Sequence, residues 1–314
     1  MEEPLVSYCI ISYNQEYCIK EALESAISQD YKNMEIIVSD DNSKDNTFSV
    51  IKEFFAKYKG NFKIILNQNS QNLFITGNLN KAIGLSHGKY IIFSAGDDTK
   101  TGPDSVRKFV KYIREMNVLC LTSNANIIDE NSVNKGTVFP ISDKNTVFSI
   151  QDYLKGNIRS CGAARIIDRD LLEIFGLLSN DCQTEDSTTN LRAILTKGLG
   201  YISSPLVNYR IDGNNVSIGL SVLNKFEPKR IYSQYLNDLN IAKDKGLIEI
   251  ETYKLIKHAI DKYLHKEIAK RKIYKKNYLL SRLWIIFKLT ITFNYSLREL
   301  YSFILFSLRG CNKS

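Results

Sequence analysis

Three pairs of adjacent acids stand out in the chain: Asp40-Asp41, Asp97-Asp98 and Glu185-Asp186. Side-by-side carboxylates repel one another, so a folded chain seldom keeps several such pairs unless a cation or a reacting proton needs them. The first pair follows the apolar run 34–39 and the second follows 90–96. Residues just beyond the carboxyl ends of strands line the ligand crevice of an open α/β sheet. Two of the pairs stand in that position, which points to a metal-assisted or acid/base enzyme.

The elements that must hold these acids alternate in type. Residues 5–12 read as a strand rich in Val, Ile, Tyr and Cys, and Ala22, Leu23, Ala26 and Ile27 then recur at helical spacing. Further strands are predicted at 35–39, 62–67, 90–94 and 118–123. Helices fall between them, marked by Val50, Ile51, Phe54 and Phe55, by Leu79, Ala82, Ile83 and Leu85, and by Pro103, a residue favoured in a first helical turn. Such alternation implies a parallel, doubly wound sheet. Residues 124–220 are less regular and fit a mixed extension of that sheet with an active-site cover. A catalytic domain is therefore expected over 1–220, followed by a basic, amphipathic helical tail over 221–314.

Charge supports the division. Residues 1–220 carry 23 Lys+Arg against 26 Asp+Glu, whereas 221–314 carry 19 against 8. The tail thus points to an anionic surface. Six basic residues cluster between 266 and 276, and the apolar stretch 278–308 follows, interrupted by Arg282, Lys288, Arg298 and Glu299. No run reaches the roughly 18–20 apolar residues that a membrane span needs. Two short helices are expected there, with Trp284, Phe287, Phe303 and Phe306 sinking into a membrane interface while 266–276 meets anionic headgroups. The same apolar residues would also suit packing on the catalytic domain or in a homodimer. Nucleic acid is not the expected partner, because the basic residues do not track a groove. The six cysteines form no CxxC pair, and the acidic N-terminus is unlike a secretory signal, so a reducing cytoplasmic location is expected.

Around the acids the bland reading is capping. Residues 38–47, rich in Ser, Asp and Asn, suit a polar turn at a helix start. With Ser12-Tyr13-Asn14 at the neighbouring strand end, the same residues can stack on a nucleobase and accept its ring N–H. Asp97 suits a hard cation that also binds substrate phosphates, with Asp98 at least partly structural and with Ala95 and Gly96 leaving room for a diphosphate. His87, His258 and His265 fit structural or surface positions. No GxGxxG follows the first strand and no GxxxxGK[ST] exists, which removes the dinucleotide and P-loop readings.

Five segments in order carry a resemblance: 6–14, 35–47, 77–91, Thr184-Glu185-Asp186 and 209–217. Together they resemble the inverting glycosyltransferases of family 2, which have the GT-A fold, a Rossmann-like, doubly wound mixed sheet. The resemblance covers residues 5–215. It implies that Asp40 accepts from the nucleobase with Tyr13 near the base, and that Asp41 supports the nucleoside. It makes Asp97 the holder of a divalent cation (Mn2+ or Mg2+) that bridges the diphosphate, with Asp98 and Asp212 as further candidate ligands. Asp186 becomes the general base, with Glu185 and Arg210 as its active-site neighbours. Two departures stand out: Ala95 replaces an acid common in the family, and Asp212 stands where a histidine is frequent.

The implied partners are a nucleoside-diphosphate sugar, a UDP-sugar first, and a glycan or lipid-linked acceptor at the inner face of the plasma membrane. The alternatives are an inactive GT-A module that binds nucleotide sugar or glycan, a sugar nucleotidyltransferase, and an assembly protein that works through its tail.

Overall fold

Strands covered on both faces must be apolar nearly throughout, and the first two are. β1 (Val6–Ser12) and β2 (Met34–Asp40) are buried along almost their whole length. The computed structural model describes residues 3–180, 182–211 and 227–274. In it, alternate residues of these strands face two cores. Tyr8, Ile10, Ile36 and Val38 pack on α1 (Ile19–Ile27) and α4 (Ser105–Glu115), while Cys9 and Ile37 face α3 (Phe74–Gly84) on the other side. α2 (Thr47–Ala56), β3 (Lys63–Gln68) and β4 (Tyr90–Ala95) complete the doubly wound part.

The expected mixed extension is present. It comprises β5 (Thr99–Lys100), β6 (Cys120–Ile128), β7 (Asn134–Thr137), β8 (Thr146–Phe148), α5 (Ile150–Lys155), β9 (Arg165–Asp168), α6 (Asp170–Phe175), α7 (Glu185–Ile194) and β10 (Leu199–Arg210). The ten strands form one sheet in the order β3-β2-β1-β4-β9-β6-β10-β5, with β7 on β6 and β8 on β10. β1, β2, β3 and β4 pair in parallel, and β9 runs antiparallel between β4 and β6. The strand predicted at 118–123 starts at Cys120 and continues to Ile128, because β10 and β7 supply partners for the added residues.

Chain order reverses beside β1, the switch point where open α/β sheets leave a crevice. Register places Asp40 opposite Ser12 and Gln68, and Ala95 opposite Ile11, so the first two acidic pairs share one edge.

The chain resumes with α8 (Pro228–Asp244) and α9 (Ile250–Tyr274). The expected boundary at 220 lies outside the described residues. Ile231, Tyr235, Leu239, Ile256 and Ile260 of these helices share the core of α3 and α7. A buried ion pair locks the junction: Arg192 of α7 donates to Asp238 at 2.7 and 3.1 Å, and to Gly176 O at 2.7 Å. No helix among the described residues is long and apolar enough to cross a membrane.

Removing one member of a buried pair leaves the other charge uncompensated, which typically costs about 3–5 kcal/mol. Asp238→Ala is therefore expected to lower unfolding free energy by about that amount in chemical denaturation.

Candidate active site

The loops after β1 and β2 are laced together by polar side chains. Asn14 N donates to Ser43 Oγ at 2.9 Å, Lys44 N to Asn14 Oδ1 at 2.7 Å and Gln15 N to Thr47 Oγ1 at 2.7 Å. Asn14 and Asn42 adopt positive φ values of 53° and 60°, which Asn tolerates better than most residues. Tyr13 is left 43% exposed, an open ring at the rim.

The two acids of this edge differ in what they have left to offer. Asp40 accepts from Ser43 Oγ (2.5 Å) and Ser12 Oγ (3.3 Å) through Oδ1, and from Ser43 N (3.0 Å) and Gln68 Nε2 (3.5 Å) through Oδ2. Both of its oxygens serve the turn. Asp41 uses Oδ1, accepting from Asn69 Nδ2 at 2.9 Å and Leu73 N at 2.8 Å. Among the described residues its Oδ2 has no hydrogen-bond partner. Both Asp40 oxygens are thus engaged within the fold, while one Asp41 oxygen is left open.

Beyond β4, Asp97 is half-buried and Asp98 fully so. Asp98 Oδ1 accepts from Arg210 N at 3.0 Å, and burial, reinforced by the charge of Asp97, holds its carboxyl well above the usual range. Asp98 is the structural member of its pair. Gly96 also departs from expectation. A Cβ there would lie 2.5 Å from Gln15 Oε1 and 2.7 Å from Ile19 Cδ1, so its missing side chain makes room for α1 and its lead-in, not for a diphosphate. Arg210 is buried: Nε donates to Asp97 O (3.0 Å), Nη1 to Asp129 O and Glu130 O (both 3.1 Å), and Nη2 to Glu21 Oε2 (2.7 Å).

Among the described residues no three His, Cys, Asp or Glu side chains converge as a metal cage. Asp97 as a lone carboxylate fits a hard cation that brings phosphate oxygens with it. Asp212 lies outside the described residues.

Glu185 and Asp186 open α7, where unpaired N–H groups favour negative charge. Asp186 Oδ1 accepts from Ser187 N at 2.7 Å. Glu185 is pushed up to about 7, chiefly by burial and then by the charge of Asp186.

Several contributors gave no functional signal in the sequence. Asn69 and Asn78 join Asp41 to Ser39 through a chain of 2.6–2.9 Å hydrogen bonds, and the crowding of Asn at 67, 69, 72 and 78 is its only trace. Phe74 takes φ 60° with its ring 77% exposed, one residue past the N–H that holds Asp41. Buried Lys100 sits 4.9 Å from the Tyr8 ring centre, and burial depresses its amine to about 8.

This arrangement is that of a GT-A glycosyltransferase. TarS residues 1–349 of S. aureus, solved with UDP-GlcNAc, matches with TM-score 0.57 at 14% identity, over 98% of this chain and 89% of that one. The mannosyltransferase PcManGT of Pyrobaculum calidifontis, solved with GDP-Man and Mn2+, gives 0.55 at 17%, over 100% and 89%. At such identities the likeness is one of fold. The description "Glycosyl transferase family 2" fits residues 7–175, more than half of the chain, and the protein belongs to that family.

Among its relatives, the putative glycosyltransferase EpsE of Bacillus subtilis (strain 168) is 36% identical over 112 residues, 36% of this chain and 39% of EpsE. The chain thus spans well under two thirds of that relative. The Escherichia coli protein named UDP-Glc:alpha-D-GlcNAc-diphosphoundecaprenol beta-1,3-glucosyltransferase WfgD is 26% identical over 270 residues, 83% of this chain and 98% of WfgD.

A folded value of about 7 against an ordinary 4.5 means that the fold favours the uncharged Glu185. Its contribution to stability is complete below about 4.5 and is lost as pH rises through about 7. A Tm series across that window is expected to fall with pH, and Glu185→Gln to flatten the fall.

Proposed function

We propose that the protein is an inverting glycosyltransferase that moves a sugar from a nucleoside-diphosphate donor, a UDP-sugar first, to a hydroxyl of a glycan or lipid-linked acceptor. One observation carries the reading: the turn 160–164 reaches both acidic groups. Cys161 is close enough to Asp98 for that charge to help burial raise its thiol to about 11, and Gly162 lies against Asp186. This shared turn supports reading the phosphate-side acids and the candidate base as parts of one site. WfgD and a Campylobacter jejuni relative are both named as beta-1,3-glucosyltransferases of undecaprenol-linked sugars, which supports the acceptor class.

In this reading Asp41 Oδ2 accepts the nucleobase N–H, and Tyr13 stacks near the base. Asp97 holds a divalent cation, Mn2+ or Mg2+, which when bound offsets the charge gathering on the departing diphosphate. The acceptor oxygen forms its bond to the anomeric carbon as the bond from that carbon to the phosphate oxygen breaks. The acceptor proton passes to Asp186, and nucleoside diphosphate leaves. One displacement inverts the anomeric centre, so no enzyme nucleophile is needed. Lipid-linked acceptors also suit the proposed peripheral contact of 266–308 with an anionic membrane.

A thermal-shift panel of UDP-, GDP-, CMP- and dTDP-sugars with Mn2+ is expected to yield a stabilising donor. Asp186→Asn should keep that shift while nucleoside diphosphate release falls by about 10²–10⁴-fold. Pyrophosphate as the product would instead identify a nucleotidyltransferase, and unchanged release would remove Asp186 from its role. For the membrane contact, truncation must follow Tyr274, since α8 supplies core residues and the partner of Arg192. The full chain should sediment with phosphatidylglycerol vesicles, and the 1–274 truncation, which keeps Lys266, Lys270, Arg271 and Lys272 but loses Trp284, Phe287, Phe303 and Phe306, should sediment less. Equal sedimentation, or a dimer lost on truncation without vesicle binding, would count against it.

A further inference from the structure

We propose that Gly162 is a positioning residue, whose missing side chain leaves the seat in which the Asp186 carboxylate stands. The inference rests on the reading of Asp186 as the base. A Cβ built on Gly162 would lie 3.0 Å from Asp186 Oδ2, 3.2 Å from its Cβ and 3.5 Å from its Cγ. Ordinary contact begins at 3.4 Å, so a side chain at 162 would crowd the carboxylate, and the glycine leaves it the room it occupies. Ser187 N donates to Oδ1, and Oδ2 faces the space that Gly162 leaves open.

The seat keeps its shape only if the turn cannot give way, and this turn is pinned at both ends. On the sheet side, Cys161 N donates to Thr122 Oγ1 of β6 at 3.1 Å, and Thr122 Oγ1 donates to Cys161 O at 3.0 Å. On the helix side, Asn190 Oδ1, one turn beyond Asp186 in α7, accepts from Arg165 Nη2 at 2.9 Å and from Ser160 Oγ at 3.1 Å. The same Arg165 nitrogen also donates to Ser160 Oγ at 3.0 Å, closing a triangle across the turn. Turn and base are thereby clamped to the same helix. A general base needs its oxygen held to within a few tenths of an ångström of the reacting proton, which such a seat provides.

Gly162→Ala is the test, because its backbone lies outside the left-handed region and accepts an L-residue without strain. With the stabilising donor from the nucleotide-sugar panel, kcat is expected to fall about three- to tenfold while donor Kd and Tm stay unchanged. A crystal structure of the variant should show the Asp186 carboxylate displaced. Combined with Asp186→Asn, the alanine should add no further loss, since the group it displaces is already gone. An unmoved carboxylate, an unchanged kcat, a loss confined to donor affinity or stability, or additive losses in the double variant would each overturn the proposal. Wild-type turnover in Asp186→Asn alone would instead overturn the assignment of the base.

Discussion

A buried guanidinium ties the candidate site to the rest of the fold. Arg210 ends the last strand of the sheet, and its donors reach the carbonyl of Asp97, the turn at 129–132 and Glu21 on α1. A cation out of water is costly unless its hydrogen bonds are met. The loop after β4, the turn after β6, the first helix and the end of β10 must therefore take up their positions together. Asp97 stands at the sheet edge because Arg210 holds its backbone. Asp98 is spent in the same clamp, accepting the Arg210 N–H.

On the other side of the switch point, cohesion comes from hydrogen bonds among amides, hydroxyls and carboxylates. Loops after β1 and β2 exchange hydrogen bonds through Asn14, Ser43 and Thr47, and the buried amides of Asn69 and Asn78 pass the connection on to α3. One edge of the crevice is thus set by a salt-linked clamp and the other by an amide network. Their meeting line lies between β1 and β4, where the doubly wound topology opens a cleft.

The third wall comes from helices. α7 carries Glu185 and Asp186 at its start and Arg192 near its end, where Asp238 of α8 meets it. The region that composition sets apart as a basic tail therefore begins with helices that complete the second core. Its charge excess and its packing are compatible, because Lys254 of α9 is exposed while Ile256 and Ile260 turn inward.

From sequence alone, the parallel half of the sheet and its acids were legible. Strands buried on both faces are written as unbroken apolar runs, and acids that end such runs can only stand at the carboxyl edge. The family likeness was legible for the same reason, since its motifs are local. β9, the far half of β6, and the roles of Arg210 and Gly162 were not, because each is defined by partners remote in the chain: Arg210 and Glu21 are separated by 189 positions. Nor does any local pattern say which oxygen of Asp40 or Asp41 is left over. The sequence by itself determined which residues reach the edge of the sheet. Tertiary structure decided which of them remain available for chemistry, because hydrogen-bond capacity and burial are settled only when distant segments meet.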